Sequence, residues 1–100
     1  MTAMAARRAA RKSWFVYLLE CRDGTLYTGV AIDVVRRLAQ HNAGRGARYT
    51  RGRGPMRVVA ASAPLDKSAA YRLEWQLKRQ PARDKAAALR AARPARRARA

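Results

Sequence analysis

Residues 14–30 admit few folds: WFVYLLEC, then Arg22-Asp23-Gly24-Thr25, then LYTGV. The first run is rich in aromatic and branched residues and apolar at odd and even positions alike, so it reads as a central strand buried on both faces. Asp-Gly between two such runs is a strong hairpin signal. If Gly24 takes the left-handed position that closes a three-residue loop, Cys21 faces Thr25, Leu19 faces Tyr27 and Tyr17 faces Gly29. Tyr17 and Tyr27 then stand on one face of the sheet as diagonal neighbours, their Cβ atoms about 7 Å apart. A two-residue turn on Asp23-Gly24 would place them on opposite faces. Gly29, opposite Tyr17 and without a side chain, is expected to leave an open patch of sheet where a phosphate can approach.

The remaining elements follow from caps, stops and periodicity. Asp33 caps a helix running to about Asn42, with Val34, Val35 and Leu38 on its buried face and Gly44 as its stop. Residues 44–55 (GRGARYTRGRGP) hold four glycines, four arginines and no apolar period, hence a loop. Residues 56–61 form a third strand, ended by Pro64. Residues 68–80 form a helix with Ala70, Leu73 and Leu77 as its packing stripe, broken by Pro81. Residues 85–92 suit a last, weakly anchored helix. The order predicts an α+β fold, a small three-stranded, partly antiparallel sheet flanked by helices.

A chain of 100 residues makes one domain, and its larger apolar residues lie between positions 14 and 77 while alanine dominates both ends. The expected division is a disordered basic arm over 1–12, a folded domain over 13–81, and a basic extension over 82–100. Trp14 and Trp75 are expected to be packing residues and not base-stacking platforms.

With 23 Lys and Arg against 6 Asp and Glu, the formal charge is +17. Such a field attracts polyanions, and nucleic acid gains most because each neutralised phosphate releases condensed counterion. An anionic membrane would need a helix with large apolar residues opposite the charge, and the basic ends offer alanine there. Cys21 is the only cysteine, which excludes an internal disulfide and a cysteine-rich zinc site and fits a reducing, cytoplasmic setting. No apolar run approaches the ~18 residues of a membrane span. No cofactor motif supports a metabolic or redox enzyme.

Phe15-Val16-Tyr17 and Tyr27-Thr28-Gly29 lie ten residues apart from tyrosine to tyrosine; Arg37 follows Gly29 by eight, His41 comes one helical turn later, and Glu74 sits on the long later helix. This pattern resembles the GIY-YIG nuclease family, in particular its small stand-alone bacterial members, and the Ala47–Gly52 segment (ARYTRG) is similar to that subgroup. Phe15 departs from it by replacing the glycine that names the family, and no asparagine follows Glu74, where some members carry one.

The resemblance implies a metal-dependent DNA endonuclease, structure-directed or weakly sequence-specific, of the kind used in repair or recombination. Tyr17, Tyr27, Arg37, His41 and Glu74 would be its catalytic residues. Glu74 would hold a divalent metal, Mg²⁺ by preference, since a single carboxylate suits an ion that keeps its waters. Arg37 would stabilise phosphate oxygens, Tyr27 would take the proton of the attacking water, and Tyr17 would orient water or phosphate. A free phenol titrates near ~10, so Tyr27 needs a cationic bias, expected from Arg37, His41 and the metal. Arg45, Arg48, Tyr49, Arg51 and Arg53 would grip nucleic acid through its backbone without reading bases. Tyr49 either stacks on an unpaired base or anchors the loop to the fold.

Each of these residues also has an ordinary role. The tyrosines fit an amphipathic strand, Arg37 a solvated charge, His41 a contact with the helix-terminal carbonyls, and Glu74 a helix pair with Lys78. The competing function is a non-catalytic DNA- or RNA-binding protein on the same fold. The expected setting is bacterial, cytoplasmic and nucleoid-associated, with no membrane and no small-molecule cofactor.

Overall fold

Gly24 takes φ +87°, a conformation that side chains resist, and it closes the loop in the predicted way. The Cys21 N–H donates to the Thr25 carbonyl at 2.8 Å, and the Asp23 carboxylate accepts from the Thr25 amide and hydroxyl at 3.1 and 2.7 Å. The register that results pairs Leu19 with Tyr27 and Tyr17 with Gly29.

The computed structural model describes residues 12–92; all but Lys12 of the predicted N-terminal arm and the distal part of the C-terminal extension lie outside them. In chain order the elements are β1 (Phe15–Glu20), β2 (Leu26–Ala31), α1 (Val34–Asn42), a 3₁₀ turn (Arg48–Thr50), β3 (Arg57–Ala61), α2 (Lys67–Lys78) and α3 (Ala82–Ala91). The sheet has the order β2-β1-β3 and is antiparallel throughout, so the class is α+β as expected. Asp33 caps α1 by accepting from the Arg36 amide at 3.0 Å, and Asp66 caps α2 through the Ala69 amide at 2.8 Å. Among the described residues no helix is long and apolar enough to cross a membrane.

Because β1 is central, its alternate residues enter two different cores. Val16 and Leu18 pack with Ala60 and with Ala70, Leu77 and Leu89 from α2 and α3. Tyr17, Leu19 and Cys21 pack on the opposite face with Ala31 and Met56, flanked by Tyr27, Val34 and Leu38.

Several expectations need correction. Val35 is 79% exposed: α1 is only nine residues long, and with Val34, Leu38 and His41 turned inward at spacings of four and three, the next position rotates out by about 100°. Trp75, expected to pack, is 61% exposed because α2 buries the side that carries Ala70 and Leu77. The last helix starts at Ala82, and its Leu89 is fully buried. One large apolar residue inserted into a packed core anchors an otherwise alanine-rich helix far better than its composition suggests. Finally, residues 44–55 are an organised segment. Thr50 is buried within it, and the Asn42 side chain clamps its far end by bonding both the Met56 N–H and C=O, at 2.7 and 3.2 Å.

Candidate active site

The Tyr17 ring leans over Gly29, its partner across the strand pair. A Cβ at position 29 would lie 2.5 Å from Tyr17 Cζ and 3.0 Å from Tyr27 Cε2. The expected open patch is therefore filled by a phenol, and glycine is required there by the neighbouring ring.

From that position the Tyr17 hydroxyl reaches His41 Nε2 at 3.0 Å, and His41 Nδ1 lies 2.8 Å from Thr50 Oγ1. The Thr50 hydroxyl donates its single hydrogen to the Ala47 carbonyl at 2.8 Å. Thr50 Oγ1 must then accept from His41 Nδ1–H, which leaves His41 Nε2 to accept from the Tyr17 O–H. One threonine thus determines the imidazole tautomer and the direction of the phenolic proton. The loop backbone closes on the same ring, since a Cβ at Gly46 would come within 2.6 Å of His41 Cγ.

His41 is 1% exposed. Burial, and secondarily the charge of Arg37, hold its pKa below the ordinary histidine value, so the ring is neutral. Two expectations change with this: His41 does not spend its side chain on helix-terminal carbonyls, and it lends no positive charge to the phenols. Its role in the geometry is to hold Tyr17 in place.

The ring of half-buried Tyr27 lies 6.4 Å from that of Tyr17, 5.2 Å from His41 and 6.0 Å from Tyr49, the last nearly parallel at 27°. The Tyr17 hydroxyl is pushed up to about 12, by burial first and then by Tyr27; Arg37 opposes the rise and Glu74 adds to it. A guanidinium from α1 and a carboxylate from α2 therefore act on the same phenol. The helix α2 packs on the Val16 and Leu18 face of the sheet, opposite Tyr17, and β2 is an edge strand; the Glu74 charge still reaches the Tyr17 hydroxyl. Arg37 is steadied by donating to Gln40 Oε1 at 2.8 Å. Glu74, its side chain 18% exposed, pairs with Lys78 at 3.4 Å, a long and easily exchanged contact compared with the ~2.8 Å of a charge-assisted hydrogen bond.

Alongside lies a cleft of about 330 Å³ lined by Leu26, Tyr27, Thr28, Tyr49, Lys78 and Lys85. The two lysines escaped the sequence reading as cleft residues. Lys78 looked like a helix partner of Glu74 and no more. Lys85 was hidden because the break at Pro81 turns α3 back along α2, where Lys85 Nζ donates to the Leu77 carbonyl at 3.0 Å. Burial, then Lys78, lowers the pKa of Lys85. Thr50 and Gly46 were missed as well, and no local pattern marks either of them.

The loop residues separate into two groups. Arg45, Arg48 and Arg51 are exposed. Arg53 pairs with Asp23 at 2.7 Å and lies 4.4 Å over the Tyr49 ring, so it is engaged within the fold. Tyr49 lies between Tyr27 and Arg53, a contact that ties the loop to the fold, and it remains 44% exposed.

Among the described residues no group of three or more His, Cys, Asp or Glu could enclose a metal. A lone, loosely paired carboxylate suits Mg²⁺, which retains most of its waters.

Comparison with known proteins places residues 13–86 in a match to the model of the GIY-YIG catalytic domain. That span includes Tyr17, Tyr27, Arg37, His41, Glu74, Lys78 and Lys85. The UPF0213 protein of Nitratidesulfovibrio vulgaris is 51% identical over 80 residues, covering 80% of this chain and 73% of the relative. The UPF0213 protein of Cupriavidus pinatubonensis is 47% identical over 79 residues, covering 79% and 88%. The solution NMR structure of the UPF0213 protein from Bacillus halodurans is 49% identical, with 73% of this chain and 78% of that chain covered and a TM-score of 0.46.

Proposed function

The chain belongs to the GIY-YIG family of nuclease domains, and from that premise we propose that it is a metal-dependent endonuclease that hydrolyses phosphodiester bonds in DNA. The observation that carries the reading is the convergence on one phenol. Arg37 and Glu74, from two separate helices, both act on buried Tyr17, whose ring lies 6.4 Å from that of Tyr27, and Tyr27 lines the cleft that holds Lys78 and Lys85.

The residues divide the work by their environments. Tyr17 has committed its proton to His41 and resists ionisation, which makes it a poor base; its oxygen lone pairs orient water or phosphate. Tyr27 lines the cleft and takes the proton of the attacking water. Arg37 neutralises charge growing on the phosphoryl oxygens. Lys78 and Lys85 hold backbone phosphates along the cleft. Glu74 would hold Mg²⁺ or a similar hydrated ion, which when bound supplies Lewis-acid stabilisation of the phosphoryl and leaving oxygens. Arg45, Arg48 and Arg51, with the basic segments 1–12 and 82–100 flanking the 13–81 domain, add contacts to backbone and none to base edges. Weak sequence preference and a role in repair or recombination are in keeping with this.

The test is a nicking assay on branched, nicked, single-stranded and duplex DNA, with and without Mg²⁺, for the wild type, Glu74→Gln and Arg37→Ala. Metal-dependent cleavage by the wild type is expected, with each variant losing it by about 10²-fold or more while keeping its affinity for DNA. Activity surviving in both variants would show the site to be misassigned. Binding without cleavage by the wild type on every substrate would establish the non-catalytic alternative.

A further inference from the structure

Lys67, Tyr71, Trp75 and Arg79 follow one another at intervals of four along α2 and its C-cap. That spacing lines side chains into a single ridge, here on the side away from buried Ala70 and Leu77. Tyr71 is 46% and Trp75 61% exposed. Lys67 Nζ stands 5.5 Å over the Trp14 ring, Trp14 lies 6.0 Å from Tyr71, and the Arg79 guanidinium sits 4.7 Å over Trp75. The row therefore runs cation, ring, ring, cation, with a third ring beside its start. Large aromatic residues left in water on an outer helix face are informative in a way that a lone exposed leucine is not.

The chemistry of the row selects its occupant. Cations at both ends of an aromatic pair on a chain of charge +17 complement a polyanion that also carries flat rings. A membrane surface fits poorly, because the apolar strip is one residue wide and bordered by Ser68, Arg72 and Gln76 on one side and by Glu74 and Lys78 on the other, whereas interfacial helices need a broad apolar face. Duplex nucleic acid fits poorly too: its bases are already stacked, about 3.4 Å apart, while residues four apart on a helix are separated by about 6 Å. Unpaired bases can open to that spacing. From Lys67 to Arg79 the ridge is about 18 Å long, room for roughly three extended nucleotides.

We propose that this ridge binds single-stranded nucleic acid, with unpaired bases stacking on Tyr71 and Trp75 and phosphates held by Lys67 and Arg79. The site goes beyond the nuclease reading and stands without it, since it requires neither metal nor Glu74.

Of the two tryptophans of the chain, Trp75 stands on the ridge and Trp14 lies beside its start, 6.0 Å from Tyr71, so intrinsic fluorescence reports on it. The full chain is titrated without metal with thymidine and uridine oligomers of about 12 nucleotides and with a duplex of equal length, affinity being followed by anisotropy of labelled strands. Expected are quenching by the single strands, a loss of about tenfold in single-strand affinity for Trp75→Ala, partial recovery in Trp75→Phe, and duplex affinity nearly unchanged. A preference between the two oligomers identifies DNA or RNA as the source of the strand. Wild-type affinity in both Tyr71→Ala and Trp75→Ala would overturn the proposal, as would equal losses for duplex and single strand or no recovery with phenylalanine. Tryptophan emission that responds to phosphatidylcholine–phosphatidylserine vesicles but not to the oligomers would reassign the ridge to membranes. If Trp75→Ala melts early, Tyr71→Ala and Arg79→Gln carry the same test. Cleavage is measured separately, so loss of strand binding and loss of nicking are distinct results.

Discussion

The Tyr17 hydroxyl gives its hydrogen bond to His41 Nε2 across 3.0 Å, while His41 gives its own through Nδ1 to Thr50 across 2.8 Å. The chain of donors runs one way only, and it needs a neutral imidazole. Tyr17 is thereby held over Gly29, within range of the charges of Arg37 and Glu74.

Stability should depend on pH through this ring. Its folded pKa is depressed below the ordinary 6.5, so between the two values the unfolded chain binds more protons and stability rises with pH. The contribution is complete above about pH 6.5 and is lost as pH falls through the folded value. Asp23, also lowered, chiefly by its hydrogen bonds from Thr25, acts only around and below its ordinary 3.8, in a separate window. Urea denaturation across about pH 8 to 5 should show the wild type weakening on the acid side. His41→Gln should be less stable and flatter in that range. Identical slopes for the two proteins would contradict the neutral-imidazole assignment.

Adding one methyl group at Gly46 or Gly29 should unsettle the site from opposite sides. A Cβ at Gly46 meets the His41 ring, and one at Gly29 meets Tyr17 and Tyr27; in both cases the obstacle is a ring held by its own bonds. Gly46→Ala and Gly29→Ala should each cost about 1–3 kcal/mol by chemical denaturation. Wild-type stability in either variant would mean that the ring can step aside.

Leu89→Ala tests the anchoring of α3. Leu89 is fully buried against Val16, Leu18 and Leu77, so its truncation should cost about 2–5 kcal/mol, seen as a lower melting temperature. A loss under ~1 kcal/mol would return α3 to the peripheral status that its alanine-rich composition suggests.

Local chemistry made the hairpin, its register and the Asp33 cap legible in the sequence, whereas the Asp66 cap of a helix expected from residue 68 emerged only in the structure. A glycine at positive φ after Asp23, a run of aromatic and branched residues along β1, and an aspartate one residue before α1 act over a few bonds and need no distant partner. The elements that carry Tyr17, Tyr27, Arg37, His41 and Glu74 were legible for the same reason. The contacts made between elements could not be read this way. That Thr50 sets the His41 tautomer, that Gly46 closes on the ring, that Lys85 folds back beside Lys78, and that Trp75 faces water while Leu89 is buried all depend on how helices and loop seat against the sheet. Those seatings are set by the packing of two cores on opposite faces of β1. Packing is a property of the assembled volume, with partners 9 residues apart for His41 and Thr50 and much farther for Leu89 and Val16, and no local periodicity encodes it.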